Sequence, residues 1–238
     1  MFITPARRQS GVPGTGIQYV PGHEEPFVDH VVARYLPERG RILELGGAGY
    51  RFALAAALAG RTVTVVDRDE AGLDLPEIVG RVNANGKLTL SLAALAPLID
   101  PRVDDALGFV RREQGPYALV CAFRLIMYFT PADAARLFRS VGDALAPGGV
   151  FAVSGMTPAG DSEFYALTEP IGTDPLYRRF PDTEAARRLR AEQNQPERVY
   201  FVDSARIREL AEAGGMEVVE TGLPSTRIMR GHVLRRAG

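Results

Sequence analysis

The stretch Arg41-Ile42-Leu43-Glu44-Leu45-Gly46-Gly47-Ala48-Gly49-Tyr50, followed after an alanine-rich run by Thr62-Val63-Thr64-Val65-Val66-Asp67, constrains this chain more than any other. It reads as strand, glycine turn, helix, strand, acid. Two short, continuously apolar strands separated by a helix predict a parallel β/α unit buried on both faces. Glycines directly after the first strand let the backbone approach a ligand, and an acid ending the next strand can accept hydrogen bonds from a ribose. The unit therefore predicts a nucleoside site at the carboxyl ends of its strands.

The rest of the chain continues the alternation. An irregular Gly- and Pro-rich arm over residues 1–22 leads into Glu24 to Leu36, where Phe27, Val28, Val31, Val32 and Tyr35 fall at helical spacing. Tyr50 to Ala59 predicts a helix closed by Gly60. Asn83-Ala84-Asn85-Gly86 marks a turn, and Leu88, Leu90 and Leu92 alternate as in a strand. Pro101-Arg102-Val103 is very short for a third strand of the parallel series. Tyr117 to Ala122 reads as a buried strand, Ala132 to Leu145 as a helix, and Pro147-Gly148-Gly149 as a turn into a strand from Val150 to Ser154. Asp203 or Ser204 caps a helix to Ala213, Gly214-Gly215 ends it, and Met216 to Val219 and His232 to Leu234 are two last strands. Repeated β/α units of this kind imply an α/β fold with a mostly parallel, doubly wound sheet. Residues 1–38 form an arm and helix, 39–154 a core, 155–198 an insertion, and 199–238 a final helix and strands that complete the core.

Composition excludes several alternatives. With 238 residues the chain can bury a sizeable core, and its net charge of −1 provides no overall field for nucleic acid or an anionic membrane. A single cysteine, Cys121, excludes an internal disulfide framework. His23, His30 and His232 lack ligand spacing, so no metal site is expected. No run approaches the roughly 20 apolar residues that span a bilayer. A soluble cytoplasmic protein is expected, with a homodimer left open.

Four stretches together resemble the class I S-adenosylmethionine-dependent methyltransferases: LELGGAGYRFALAAAL, VTVVD, YALVCAFRLIMYFTPADAARLFRSVGDALAPGGVFAVSG and SARIRELAEAGGMEVVET. They cover roughly half the chain in the family's order. The resemblance implies a Rossmann-like, seven-stranded, mostly parallel sheet with an antiparallel last strand, plus an N-terminal helical arm and a cap over the acceptor. It implies S-adenosylmethionine as cofactor, S-adenosylhomocysteine as product and a small-molecule acceptor, with natural-product metabolism as a setting. By position, Glu44, Gly46, Gly47 and Gly49 would hold the methionine moiety, Asp67 the ribose hydroxyls, and Arg68 would lie beside the adenine. Asp104, Asp105 and Ala106 match the acidic segment that binds the adenine amino group. Ala122, Phe123 and Arg124 would lie at the tip of strand four, facing the sulfonium and the acceptor. Arg124, His23 and Tyr128 are the candidate catalytic residues.

Other readings of the same residues stay open. Ala48 and Tyr50 stand where the family has its second and third glycines, and a tyrosine turned inward would narrow the pocket. A member of the fold that no longer methylates is therefore the alternative. Glu44 could be a cap, Asp104 and Asp105 a helix start, Arg124 a surface ion-pair partner, and Tyr128 a core aromatic. The arginines at 178, 179, 187, 188 and 190 fit a solvated helix as well as an acidic acceptor. GGAGY lacks the G-x-G-x-x-G spacing of nicotinamide sites, and no Asn/Asp-Pro-Pro-Tyr motif for a flipped base is present.

Overall fold

A computed structural model of the protein describes residues 26–84, 89–113, 115–159, 165–193, 196–226 and 229–238. The expected arm, and His23 with it, lies outside the described residues. The strands are β1 (Arg41–Leu45), β2 (Val63–Asp67), β3 (Ile99–Val103), β4 (Tyr117–Phe123), β5 (Leu145–Met156), β6 (Glu169–Ile171), β7 (Asp174–Arg179), β8 (Arg198–Tyr200), β9 (Met216–Pro224) and β10 (Met229–Arg236). Seven form one sheet in the order β3-β2-β1-β4-β5-β10-β9. β1, β2, β3, β4 and β5 pair in parallel, and β10 runs antiparallel to both of its neighbours.

The period-2 geometry of strands sorts each apolar run between two helical layers. Ile42, Leu119, Cys121, Phe123 and Ala152 face one core with α1 (Pro26–Tyr35), α2 (Arg51–Leu58), α3 (Leu75–Ala84) and the short α4 (Leu92–Leu95). Leu43, Leu45, Val120, Ala122, Phe151 and Val153 face the other, with α5 (Ala106–Arg112), α6 (Pro131–Ala144) and, after α7 (Glu184–Gln193), α8 (Ser204–Ala213). Both layers are needed because every residue from Val120 to Ala122 is fully buried. From β1 the chain winds outward through β2 to β3, then restarts on the other side at β4. The crevice between the carboxyl ends of β1 and β4 is thus the topological switch point, where ligands of such sheets bind.

Two expectations require correction. Leu90 is not in a strand: its N–H and carbonyl both bond the side-chain amide of Asn83, at 2.6 and 2.9 Å. The next residue, Ser91, caps α4 through the Ala94 amide at 3.3 Å. Local polar side chains thus satisfied the backbone that a strand partner would have used. The third parallel strand is Ile99–Val103 instead, an edge strand whose outer half is exposed, which explains its weak hydrophobic signal. Pro147-Gly148-Gly149 also lies inside β5, where the β4 register shifts between Tyr117 and Leu119.

Between β5 and α8, β6, β7 and β8 form a separate antiparallel sheet, which runs past the expected end of the insertion at residue 198 because β8 continues to Tyr200. Phe180, Ala186, Val199 and Phe201 pack with Met127, Met156 and Met229, which lie just after β4, at the end of β5 and at the start of β10. The Val202 amide donates to the Met156 carbonyl at 2.8 Å. Gly155 makes the close approach possible, since a Cβ there would lie 2.6 Å from Ile126 Cγ2 and 2.8 Å from Val202 Cγ2. The small sheet is therefore docked at the switch-point end of the large one.

Candidate active site

The turn after β1 is drawn down onto β2. The Gly46 and Gly47 amides both donate to the Val66 carbonyl, at 2.8 and 3.3 Å. A Cβ at Gly47 would stand 2.4 Å from Val65 Cγ1 and 2.9 Å from Glu44 Cγ, so only glycine fits. Gly46 (φ 69°), Gly49 (φ 86°) and Tyr50 (φ 55°) are left-handed, whereas Ala48 is not. Alanine at 48 therefore needs no glycine-like backbone. Tyr50 does occupy a position that disfavours a side chain by about 1–2 kcal/mol. Its fully buried ring lies in the α2–α3 core and its Oη donates to the Leu73 carbonyl at 2.5 Å. Burying an aromatic ring contributes roughly 1.5–3 kcal/mol, enough to offset the backbone cost. A ring with no exposed surface lines no open cleft, so Tyr50 latches the turn to the 70–73 segment, as does the Gly49 amide on the Gly72 carbonyl at 2.7 Å.

The acids are held by backbone amides. Glu44 is 3% exposed, and its Oε2 accepts from the Ala53 amide at 3.0 Å and its Oε1 from the Phe52 amide at 3.4 Å. It thus ties β1 to the first turn of α2, whose Ncap residue Tyr50 has no side-chain cap bond. Desolvation pushes its carboxyl up to about 8, against the lowering effect of the two amides. Asp67 Oδ2 accepts from the Ala48 amide at 3.0 Å and Oδ1 from the Asp69 amide at 2.9 Å. Desolvation raises its pKa too. A carboxylate offers about four acceptor sites, so these two bonds fix its orientation and leave capacity for a diol.

At the neighbouring strand ends, Arg68 is exposed and the Asp104 amide donates to the Asp67 carbonyl at 3.0 Å. The Asp104 carboxylate pairs with Arg112. Asp105 caps α5 through the Gly108 amide at 2.8 Å, and Ala106 is the buried first residue of that helix. Glu44, Gly46, Gly47, Gly49, Asp67, Arg68, Asp104, Asp105 and Ala106 thus lie along the ends of β1, β2 and β3.

The tip of β4 completes the crevice. Ala122 is buried in the second core, and the Phe123 ring packs against Phe27 and Phe52 with centroids 5.5 and 5.8 Å apart. Both side chains are thereby committed to the interior, leaving backbone for the site. Arg124 is half-buried and left-handed (φ 57°), and its amide donates to Ser154 Oγ at 3.1 Å. Tyr128 is 36% exposed. Desolvation raises its hydroxyl to about 12, with the charge of Arg124 lowering it and that of Asp67 raising it.

The described histidines lie elsewhere. His30 meets Glu220 of β9 at 3.1 Å, and His232, buried beside α8, meets Thr221 at 2.7 Å. Cys121 is buried in the core, where desolvation raises its thiol pKa well above the ordinary value. Two features went unread in the sequence: the latch of Tyr50 on Leu73, and the brace of Ser154 on Arg124. A lone serine inside the apolar run Val150 to Ser154 was the available signal for the second.

Residues 22–221 match the family described as Methyltransferase domain. Among solved structures, an S-adenosylmethionine-dependent methyltransferase from Methanosarcina mazei is similar over 87% of this chain and 97% of its own, with a TM-score of 0.64 and 15% identity. The magnesium protoporphyrin IX methyltransferase of Synechocystis PCC 6803, solved with bound S-adenosylmethionine, is similar over 89% and 79%, with a TM-score of 0.55 and 16% identity. The CcbJ methyltransferase from Streptomyces caelestis is similar over 89% of each chain, with a TM-score of 0.57 and 18% identity. No curated protein matches. The chain belongs to the methyltransferase-domain family and is a class I S-adenosylmethionine-dependent methyltransferase. No helix among the described residues is long and apolar enough to cross a membrane.

Proposed function

We propose that the protein methylates an O, N or C atom of a small-molecule acceptor, in natural-product metabolism. The observation that carries this reading is the small sheet docked over the ends of β4 and β5, which suits an acceptor of limited size. The same fold serves a small acceptor in the Synechocystis enzyme, named for magnesium protoporphyrin IX. In this reading the backbone of Gly46, Gly47 and Gly49 holds the methionine moiety of the cofactor, with Glu44 fixing that turn from beneath. Asp67 accepts from the ribose hydroxyls with the acceptor sites its amide bonds leave unused. Arg68, Asp104, Asp105 and Ala106 border the adenine, while Arg124, Tyr128 and the backbone at Ala122 and Phe123 face the acceptor. His23 remains a candidate base on the arm.

Bound S-adenosylmethionine supplies a methyl group already activated on a sulfonium. The protein's part is to align the acceptor and exclude water. The non-methylating alternative rested on Ala48 and Tyr50; against it stand the ordinary backbone of Ala48 and the burial of the Tyr50 ring on Leu73.

Calorimetric titration with S-adenosylmethionine and S-adenosylhomocysteine tests the cofactor site. Micromolar binding, about −8 kcal/mol, is expected, and Asp67→Ala should weaken it about 100-fold through loss of charge-assisted hydrogen bonds. Absence of binding to either nucleoside would sink the reading. Transfer of a labelled methyl group into the small-molecule fraction of a cell extract supports the acceptor class, and transfer into protein or nucleic acid overturns it.

A further inference from the structure

Asp67, the proposed ribose ligand, is held by two segments rather than one. Its Oδ2 accepts from the Ala48 amide in the turn after β1, at 3.0 Å, and its Oδ1 from the Asp69 amide just after β2, at 2.9 Å. The direction of the carboxylate therefore depends on the spacing between those segments. That spacing is set by a close fit at Gly72. A Cβ placed on Gly72 would stand 2.5 Å from the Ala48 Cβ and 3.1 Å from Asp69 Oδ2, on the two residues whose amides hold Asp67. The buried methyl of Ala48 thus fills the space that Gly72 leaves. Hydrogen bonds fasten the contact: the Gly49 amide donates to the Gly72 carbonyl at 2.7 Å, the Tyr50 hydroxyl to the Leu73 carbonyl at 2.5 Å, and the Gly72 amide to the Asp69 carbonyl at 3.0 Å.

Backbone conformation does not account for the glycine. Gly72 is not among the left-handed residues, so its φ admits alanine. What opposes a methyl group there is chiefly the methyl already carried by Ala48, since the Asp69 contact is to the tip of a side chain that can turn aside. Non-bonded carbons rest about 3.5–4.0 Å apart, so a second methyl would push the two segments apart by on the order of 1 Å. A binding constellation tolerates about 0.5 Å. The two amides could then no longer hold the carboxylate in its present direction.

Resting on the assignment of Asp67 to the ribose, we propose that Ala48 and Gly72 form a packing interlock that aims the Asp67 carboxylate at the ribose hydroxyls. Gly72 is a positioning residue, acting on the cofactor through Ala48 and Asp67. The interlock accounts together for an alanine inside the glycine turn and a glycine without glycine-like backbone after β2. One methyl is accommodated between the two positions. Moving it from 48 to 72 preserves the fit, whereas adding a second one breaks it.

The test is calorimetry on the full-length protein with S-adenosylhomocysteine and with its 2′,3′-dideoxy analogue, which lacks only the ribose hydroxyls. The wild-type protein should prefer the diol about 100-fold, the size of two hydrogen bonds to a charged group. Gly72→Ala should cut the preference to about 3-fold or less by weakening S-adenosylhomocysteine, with the analogue's affinity held within about 3-fold, because only the hydrogen bonds to the diol are lost. Combining Gly72→Ala with Ala48→Gly should return the preference to about 30-fold or more, a rescue that appears only when two residues share one contact. A preference unchanged in Gly72→Ala, equal weakening of both ligands, or a double variant that does not fold or stays without the preference would each overturn the proposal. If Gly72→Ala alone does not fold, recovery of folding and preference in the double variant supports it. Absence of a diol preference in the wild-type protein would instead strike the assignment of Asp67 beneath the proposal, and failure of S-adenosylhomocysteine to bind would strike the cofactor reading, so the failures are distinguishable.

Discussion

The two walls of the switch-point crevice are built on different rules. On the β1–β2–β3 side the acids are Glu44, Asp67 and Asp105, and each is tied to backbone amides of a turn or a helix start. Geometry there is fixed by the main chain, and the glycine at 47 permits no other residue. On the β4–β5 side the Arg124 amide is bonded to the Ser154 hydroxyl, near a small sheet anchored mainly by methionine and aromatic packing. Backbone-held groups suit a ligand that never changes, whereas side-chain walls can be exchanged without disturbing the sheet. The difference teaches why one wall resembles a large family and the other resembles little.

Substitutions can break this contrast or sharpen it. The largest effect is expected at Gly47→Ala, where overpacking against Val65 and Glu44 should cost about 1–3 kcal/mol in denaturant unfolding and remove cofactor binding in calorimetry. If the variant is neutral in both, the first wall is softer than its geometry implies.

Glu44 supplies a pH test of the same wall. Its carboxyl is raised from an ordinary 4.5 to about 8, so the folded state binds this proton more tightly than the unfolded state. Stability should therefore fall as pH rises from about 4.5 through about 8, by up to about 1.4 kcal/mol per pH unit, and level off beyond. The raised carboxyl of Asp67 acts with the same sign. Unfolding curves across this window should be flatter for Glu44→Gln, and an unchanged slope would show that Glu44 is ionised in the fold.

Smaller effects separate the walls. Tyr50→Phe leaves the Leu73 carbonyl without its phenol donor, so a loss of about 1 kcal/mol in unfolding is expected, with a parallel weakening of S-adenosylhomocysteine. Ser154→Ala removes only the brace on Arg124. It should cost about 1 kcal/mol in unfolding, of the order of one neutral hydrogen bond, and leave S-adenosylhomocysteine affinity unchanged. A fall in cofactor affinity in this last variant would merge the two walls into one unit.

The legible parts of the molecule were those with local causes. Continuous apolar runs at Ile42 to Leu45, Val63 to Val66 and Tyr117 to Ala122 have few structures open to them other than buried parallel strands. The capped starts of α6 and α8, at Thr130 and Asp203, could be read from residue type, since a hydroxyl or carboxylate there satisfies an orphan amide three residues on. The third strand was obscured because an edge strand needs little hydrophobicity. The apparent strand near Leu90 failed because Asn83, seven residues back, took both of its backbone groups. The small sheet was invisible for a similar reason: β6 and β8 are three residues each, too short to show a period.

By itself the sequence determined the alternating β/α order, the glycine turn after β1 and the acid that ends β2, because periodicity, glycine and strand-end carboxylates act over a few residues. Only the tertiary structure decided that the Tyr50 ring goes beneath the 70–73 segment, that Glu44 faces α2, that Phe123 turns into the core and that Arg124 is braced by a serine on the next strand. Each of those outcomes depends on partners distant in sequence or on competition for buried space, and neither is encoded in the spacing of a local motif.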